Sequence, residues 1–328
     1  TLDNGVPVYT VDAGTQEVLQ LEMVFYAGNW FEQQKMIAGT TNYLLKNGTV
    51  TKTAFEINEE FEYYGAHCKR ACFNETAVIH LSSLSKHLDK LLPVVKDMIT
   101  NSVFSEEELN IYKQNTKQRL SVQLKKSDFV AARLIDAYVY GEQHPYGTYT
   151  NLEDIDELTT AQLKEFYKQY YVNGQCVIFV SGKLPADLQQ QLNDTFGKLS
   201  ISKPTFTVNA IETKPATQKK YRITKDVNGV QGAIRIARDF PNRHHPDFMK
   251  IMVLNTLFGG YFGSRLMSNI REDKGYTYGI HSYVQNHLQQ TAWMISTDAG
   301  KDVSEATIEE VYKEMKLLRD ELVDDEEL

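Results

Sequence analysis

Hydrophobic and polar residues alternate in several short segments, a pattern that predicts β-strands. Between Val18 and Phe25, leucine, methionine and phenylalanine take every second position, with Gln20 and Glu22 between them. A period of two places successive side chains on opposite faces of a strand, so one face is predicted to be buried. Further strands are predicted at 6–8, 67–73, 76–81, 175–181, 231–238, 277–284 and 291–297.

Apolar residues spaced three and four apart predict helices between these strands. The clearest helix covers 85–100, where Leu88, Leu91, Leu92, Val95 and Met98 share one face. Thr53 and Ser105 are each followed by a glutamate three residues later, the pattern of a capping box that starts a helix. The second of these begins the longest helical stretch, to about residue 140. Other helices are predicted at 33–46, 53–64, 159–171, 185–196, 246–258 and 268–274.

The order of these elements occurs twice, which predicts two homologous domains. Phe25 to Gly48 and Ala237 to Gly260 both span 23 residues, and each glycine is followed by a short helix and a strand pair. We predict an α+β fold with domains at 1–203 and 219–328, joined by a polar linker at 204–218. Each domain is expected to be an antiparallel sheet packed on helices.

The acidic end of the chain, 324–328, repeats the pattern of 105–109. The second domain is therefore expected to lack the counterpart of 109–198, about 90 residues. A naturally shorter second domain is the alternative.

Composition excludes several classes of protein. The net charge is −8, from 35 Lys and Arg against 43 Asp and Glu, which argues against nucleic acid as a partner. No apolar run reaches the length of a membrane span, so we expect a soluble protein of the cytoplasm or periplasm. The three cysteines favour free, buried thiols over a disulfide framework. None of the eight histidines has the helical spacing of a metal-binding pair.

One segment carries a family resemblance. Residues 257–278 read Leu-Phe-Gly-Gly-Tyr-Phe-Gly-Ser-Arg-Leu-Met-Ser-Asn-Ile-Arg-Glu-Asp-Lys-Gly-Tyr-Thr-Tyr. This closely resembles the pitrilysin/insulinase family of zinc peptidases, which includes the mitochondrial processing peptidases and small bacterial relatives. The segments 144–147, 158–171 and 176–182 also match, in the family's order. The resemblance implies two homologous α+β domains.

The resemblance also implies a zinc site, and the chain departs from it. The family carries His-x-x-Glu-His on the first helix of the first half and a glutamate ligand on the long helix. Aligned on the Gly-Thr that follows the motif, its essential positions fall on Gly39, Asn42 and Tyr43, and the third ligand falls at Gln118 or Arg119. These residues are not a zinc donor set. We therefore expect no cofactor in this chain and zinc only in a partner subunit.

Substrate-binding residues of the family are retained in the second half. The resemblance implies that Arg271 and Tyr278 reach the substrate backbone, with Tyr276 as the alternative if the register shifts. It also links the glycine-rich loop at Gly259 and Gly260 to substrate handling. The competing interpretation is an arginine paired with an acid, a packed aromatic and glycines that end a helix.

Three functions remain open on the sequence. The small bacterial relatives often divide the zinc motif and the Arg/Tyr pair between two subunits. We therefore predict a non-catalytic, peptide-binding subunit whose partner is a zinc-bearing homologue or a second copy of itself. The first alternative is an inactive scaffold, which predicts that Arg271 and Tyr278 point into solid core. The second is an active zinc endopeptidase with unconventional ligands such as His67 or His80.

Overall fold

The computed structural model describes residues 1–205, 211–224, 228–323 and 327. Its strands are β1 (Val8–Asp12), β2 (Val18–Phe25), β3 (His67–Cys72), β4 (Ala77–Leu84), β5 (Cys176–Gly182), β6 (Gln231–Phe240), β7 (Thr277–Asn286) and β8 (Thr291–Gly300). Its α-helices are α1 (Ile37–Leu44), α2 (Ala54–Tyr63), α3 (Leu88–Asn101), α4 (Glu106–Gln123), α5 (Ser127–Tyr140), α6 (Leu152–Asp156), α7 (Thr160–Tyr167), α8 (Leu188–Phe196), α9 (Phe248–Asn255) and α10 (Ser304–Asp320). Strands and helices follow one another in groups, with the helices α3 to α7 all lying between β4 and β5, and the predicted α+β class is confirmed.

The first sheet has five strands in the order β1-β5-β2-β4-β3. The strand β1 runs parallel to β5, while the other neighbours in this sheet pair antiparallel. The predicted alternation in β2 is confirmed, because Leu19, Leu21, Met23 and Phe25 are each at most 1% exposed. The apolar face of α3 is buried with them in one core.

The second sheet has the order β6-β8-β7, which repeats β2-β4-β3 in topology. Each repeat runs strand, helix, second helical segment, two strands and a further helix. The second core is smaller and contains seven buried residues: Phe258, Leu266, Met267, Ile270, Ile280, Ile295 and Val311. The predicted internal repeat is therefore visible in the topology. Of the acidic end at 324–328, the positions 324–326 and 328 lie outside the described residues.

Two compact units divide the chain in a way that the repeat does not anticipate. The first comprises 1–120 and 150–209, and the second comprises 121–149 and 210–328. The boundaries predicted at 203 and 219 follow the repeat, whereas the units follow packing. The long predicted helix is interrupted at 124–126, and the following helix α5 packs against β6 in the second unit.

The polar stretch after residue 210 holds the end of α5. The backbone N–H of Lys214 donates to the Tyr140 carbonyl at 3.0 Å, and the N–H of Ala216 donates to the Tyr138 carbonyl at 2.8 Å. The rings of Tyr138 and Tyr221 stack with centroids 3.9 Å apart. Carbonyls in the last turn of a helix lack partners within the helix, so these contacts satisfy groups that would otherwise need water.

The unpaired sheet edges and the π-helical segments bear on the site. The strands β3 and β7 are edge strands, each with one side unpaired by a neighbouring strand. The helix α9 continues as a π-helical turn over 256–260, and a further π-helical segment of the second unit spans Met267–Asp273. All three cysteines are free thiols. In the described part of the chain, no helix combines the length and the apolar character needed to cross a membrane.

Candidate functional site

The helix α1 carries the positions at which the sequence predicts a lost zinc motif. Its first turn is held by Glu32, whose carboxylate accepts the N–H of Met36 at 3.2 Å and the N–H of Ala38 at 2.9 Å. Burial raises the pKa of this carboxyl to about 7, against the opposing effects of the two hydrogen bonds and of Lys35. A carboxylate at a helix N-terminus satisfies free N–H groups and interacts favourably with the helix dipole.

The three motif positions lie in different surroundings. Gly39 has open space where a side chain would begin. Asn42 is buried and donates its amide hydrogen to the Tyr171 hydroxyl at 3.1 Å. Tyr43 is half exposed, and its ring packs against that of Tyr112 with centroids 5.0 Å apart. Asn42 is thus a satisfied core amide, in the place where the family has its catalytic glutamate.

The predicted third-ligand positions are exposed residues of α4. Gln118 and Arg119 on α4 are both exposed, whereas Tyr112 of the same helix contacts Tyr43. Neither these residues nor the motif positions supply the imidazole and carboxylate donors that a catalytic zinc requires. Among the described residues, no group of three or more His, Cys, Asp or Glu is arranged to hold a metal ion. The residues present do not fit the zinc of the family.

The two histidines considered as unconventional ligands lie on the strands β3 and β4. His67 is exposed, and the ring of His80 lies 3.0 Å from a carboxylate oxygen of Glu22 across the sheet. His80 alternates with the buried residues Ile79 and Leu81, so its side chain lies on the face opposite that core. These positions give no metal-binding set with α1.

An unpaired cation lies beside Tyr43. The guanidinium of Arg70, on β3, sits over the Tyr43 ring at 5.3 Å from its centroid. Its Nε atom is buried and has no hydrogen-bond partner in the part of the chain that the structure describes. Nothing in the local sequence distinguishes Arg70, because its approach to α1 depends on the pairing of β3 with β4 and on the packing of α1 against β3.

In the second half, Arg271 lies in the π-helical segment just before β7. Its Nε donates to the backbone carbonyl of Tyr278 at 3.1 Å, and its guanidinium lies over the Phe262 ring at 4.6 Å from the centroid. A Glu272 oxygen lies 3.4 Å from one terminal nitrogen. Gly275 ends this segment with a φ of 66°, a left-handed conformation in which glycine avoids the strain that a side chain would cause. The arginine is therefore held at the start of β7.

Tyr278 lies at an irregularity in that strand. Thr277 pairs with Ala299 and Ile280 pairs with Thr297, so two residues of β7 face one residue of β8. This is the count of a β-bulge, which re-aims side chains and occurs often beside functional sites. The Thr277 hydroxyl supports the bulge by donating to the Asp298 carbonyl at 2.7 Å and accepting the N–H of Gly279 at 3.1 Å.

The structure distinguishes the two candidate tyrosines. The side chain of Tyr278 is 91% exposed, whereas Tyr276 is partly buried against the second core. Tyr276 therefore has the place of a packed aromatic, and Tyr278 has a phenol available for a ligand. Burial patterns of this kind depend on the bulge, which the alternation of residues does not predict.

Gly259 and Gly260 end the π-helical turn after α9. Gly259 is buried, and a Cβ there would lie 2.7 Å from the Ser282 hydroxyl oxygen and 2.8 Å from the Ser282 backbone nitrogen. Gly260 is exposed, with the Asn255 carbonyl oxygen 3.2 Å from the position of a Cβ. Close packing on β7 accounts for Gly259, and Gly260 lies at the surface beside it.

Comparison with known proteins identifies the family of the chain. A model described as "Peptidase M16 inactive domain" matches residues 157–328, and one described as "Insulinase (Peptidase family M16)" matches residues 8–149. The chain belongs to peptidase family M16, as an inactive-type homologue. The predicted membership of the pitrilysin/insulinase family is confirmed.

Individual relatives are distant. The chain is similar to an uncharacterized zinc protease of Bacillus subtilis, at 22% identity over all of this chain and 80% of the relative. It is 26% identical, over 80% of its length and 50% of the relative, to a probable mitochondrial-processing peptidase subunit beta of Arabidopsis thaliana. A peptidase M16 inactive domain from Pseudomonas fluorescens shares its fold, with a TM-score of 0.84 at 24% identity over all of this chain and 80% of the other.

Proposed function

We propose that this chain is a non-catalytic, peptide-binding subunit of a heteromeric zinc metallopeptidase. In this proposal, Arg271 and Tyr278 provide substrate contacts, and a zinc-bearing homologous partner provides the metal. The proposal is based on a contrast between the helix α1 and the strand β7. The zinc-motif positions of α1 lack metal donors, whereas the phenol of Tyr278 is almost fully exposed at a β-bulge.

The chemistry of the two side chains suits a peptide backbone. A phenol and a guanidinium are hydrogen-bond donors, the groups that a peptide carbonyl or a developing oxyanion accepts from. The Nε of Arg271 donates to the Tyr278 carbonyl and one terminal nitrogen contacts Glu272 at 3.4 Å, so the second terminal nitrogen is the donor proposed for a ligand. The unpaired side of β7 offers backbone groups to an extended peptide, in the manner of β-augmentation.

The relatives support the division of labour in the proposal. One of them is named as a subunit of a processing peptidase, and others are named as zinc proteases. The partner would be a zinc-bearing homologue, or a second copy of this chain in a dimer. No cofactor is expected in this chain itself.

A reconstitution experiment tests the proposal. The chain is mixed in equal amounts with a zinc-bearing M16 homologue from the same organism, and cleavage of a fluorogenic peptide is followed. We expect cleavage only, or much faster, in the mixture. Arg271→Ala and Tyr278→Phe should each lower the rate about tenfold or more, since loss of one oxyanion donor costs up to 10²–10³ in kcat.

Two matched variants on α10 control for loss of the same side-chain types. Arg319→Ala removes an exposed arginine, and Tyr312→Phe removes the hydroxyl of an exposed tyrosine. Both should leave the rate unchanged. Equal rates for all four variants would remove Arg271 and Tyr278 from the function.

The two alternatives have their own tests. A scaffold predicts Arg271 and Tyr278 in solid core, and the exposure of Tyr278 does not favour it. An active endopeptidase with ligands such as His67 or His80 predicts stoichiometric zinc in the purified chain. Elemental analysis after dialysis against a weak chelator measures this directly, and one zinc per chain would overturn the proposal.

A further inference from the structure

Beside the degenerate zinc motif, two cations lie without an acidic partner among the described residues. Arg70 makes no ion pair or hydrogen bond in the described part of the chain, and its Nε is buried. Lys46, two residues beyond α1, likewise makes no ion pair there; its ammonium lies over the Phe61 ring at 5.1 Å from the centroid. Buried charged groups are normally paired, so an unpaired one needs an explanation.

The surroundings keep these charges uncompensated. Burial is the main cause that lowers the pKa of Arg70 and of Lys46, and the two cations also repel each other. The neighbouring Cys68 thiol has its pKa raised to about 11 by burial, so it is neutral at pH 7. Glu62 on α2 influences Lys46 but forms no ion pair with it within 4 Å. Among the residues that the structure describes, no carboxylate forms an ion pair with Arg70 or Lys46.

The cluster is also open to a ligand on the helix side. Gly39, Tyr43 and Lys46 follow one another at intervals of four and three residues, which places them on one face of the helical turn. Gly39 leaves open space, and the half-exposed Tyr43 has a hydroxyl that makes no hydrogen bond in the described ranges. Guanidinium, ammonium and phenol are all donors, and guanidinium in particular matches the planar geometry of a carboxylate.

We infer that Arg70, Lys46 and Tyr43 form an anion site that binds the C-terminal carboxylate of a peptide ligand. That the ligand is a peptide rests on the proposed function. That the ligand group is an anion is inferred from the cationic cluster alone. It assigns to the altered zinc helix a binding role in place of a metal role. A bound carboxylate would neutralise Arg70 and satisfy its donors.

A direct binding experiment tests the site apart from any peptidase activity. The full chain is labelled with ¹⁵N, and the Arg70 Nε–H signal, identified by its loss in Arg70→Gln, is followed by NMR. The probes are N-acetyl-leucine and N-acetyl-leucine amide, which differ only in the carboxylate. We expect the acid to shift the signal and to bind at least tenfold more tightly than the amide, because a charge-assisted bond is lost in the amide.

Variants then assign the difference to the cluster. Arg70→Gln should abolish the discrimination between acid and amide, measured by calorimetry. Lys46→Gln should weaken acid binding severalfold, and it serves as the second variant if Arg70→Gln does not fold. Lys69→Gln is the matched control, because Lys69 precedes Arg70 on β3 and is exposed on the opposite face.

Several results would overturn the inference. Equal affinity for acid and amide in the parent chain would show that no carboxylate is recognised. Unchanged discrimination in both Arg70→Gln and Lys46→Gln would place recognition elsewhere, and tighter binding of inorganic phosphate than of the acid would exclude a carboxylate as the preferred ligand. Failure of the reconstituted peptidase with discrimination retained would reject the proposed function alone. A reconstituted peptidase that cleaves as expected, with no discrimination between acid and amide, would reject only this site.

Discussion

The carboxylate of Glu32 predicts a specific dependence of stability on pH. Its two oxygens accept N–H groups of Met36 and Ala38 at the start of α1, and burial raises its pKa from 4.5 to about 7. Because the pKa is higher in the folded state, the folded chain binds more protons between pH 4.5 and 7. The contribution of Glu32 to stability is therefore fully present below about pH 4.5 and is lost as the pH rises through 7.

The size of the effect follows from the pKa difference. One pKa unit corresponds to 1.36 kcal/mol, so Glu32 should lower the free energy of unfolding by up to about 3 kcal/mol between pH 4.5 and 8. Glu32→Gln removes the titration and keeps one carbonyl oxygen to accept an N–H. At pH 4.5 the variant should be less stable than the parent by about 1 kcal/mol, the value of one hydrogen bond. At pH 8 it should be more stable by about 2 kcal/mol.

Urea unfolding of both proteins at half-unit intervals from pH 4.5 to 8 measures this difference. Asp136 has its pKa raised to about 6 by burial, and His287 has its pKa lowered to about 4 by burial and by His144. These groups titrate in both proteins, so the difference curve isolates Glu32. Glu59→Gln, at an exposed position on α2, controls for the loss of one negative charge. The reasoning is refuted if the difference in the free energy of unfolding between the parent and Glu32→Gln changes by less than about 0.5 kcal/mol from pH 4.5 to pH 8.

Three further substitutions test other parts of the structure by urea unfolding. Gly259→Ala should destabilise the chain by about 1–3 kcal/mol, because its Cβ would lie 2.7 Å from the Ser282 hydroxyl oxygen; an unchanged midpoint would contradict this packing. Tyr171→Phe should cost about 1–3 kcal/mol, because the buried Asn42 amide loses its 3.1 Å partner, and a cost near zero would show that another group replaces it. Thr277→Val preserves shape but removes the hydroxyl that supports the bulge, so we expect a loss of about 1–2 kcal/mol, with Thr277→Ser retaining most of the stability.

Local patterns predicted most of the regular elements. The alternation in β2 and the apolar face of α3 identified strand and helix because burial of one face imposes a period of two or 3.6 residues. The capping box at Thr53 starts α2 as predicted, with both reciprocal hydrogen bonds present. Element ends were less accurate: α1 begins at Ile37, four residues after the predicted start, since Glu32 satisfies its first N–H groups from outside the helix.

Other features depend on contacts between residues distant in sequence. The predicted antiparallel first sheet contains a parallel pair, β1 and β5, because the chain returns to that edge only after the helices α1 to α7 and some 160 residues. The helix α5 belongs by packing to the second unit, although the repeat places it in the first half. The helical period identifies the apolar face of a helix, but it does not specify which of two apolar surfaces that face packs against.

The sequence by itself determined the family, the internal repeat and the absence of zinc donors at the motif positions, because these depend on which residues occupy which places. Only the tertiary structure decided that Tyr278 is exposed at a bulge while Tyr276 is packed, and that Arg70 lies unpaired beside Tyr43. Exposure and charge pairing are properties of neighbours brought together by strand register and helix packing. The pattern of hydrophobic and polar residues along the sequence does not specify those neighbours.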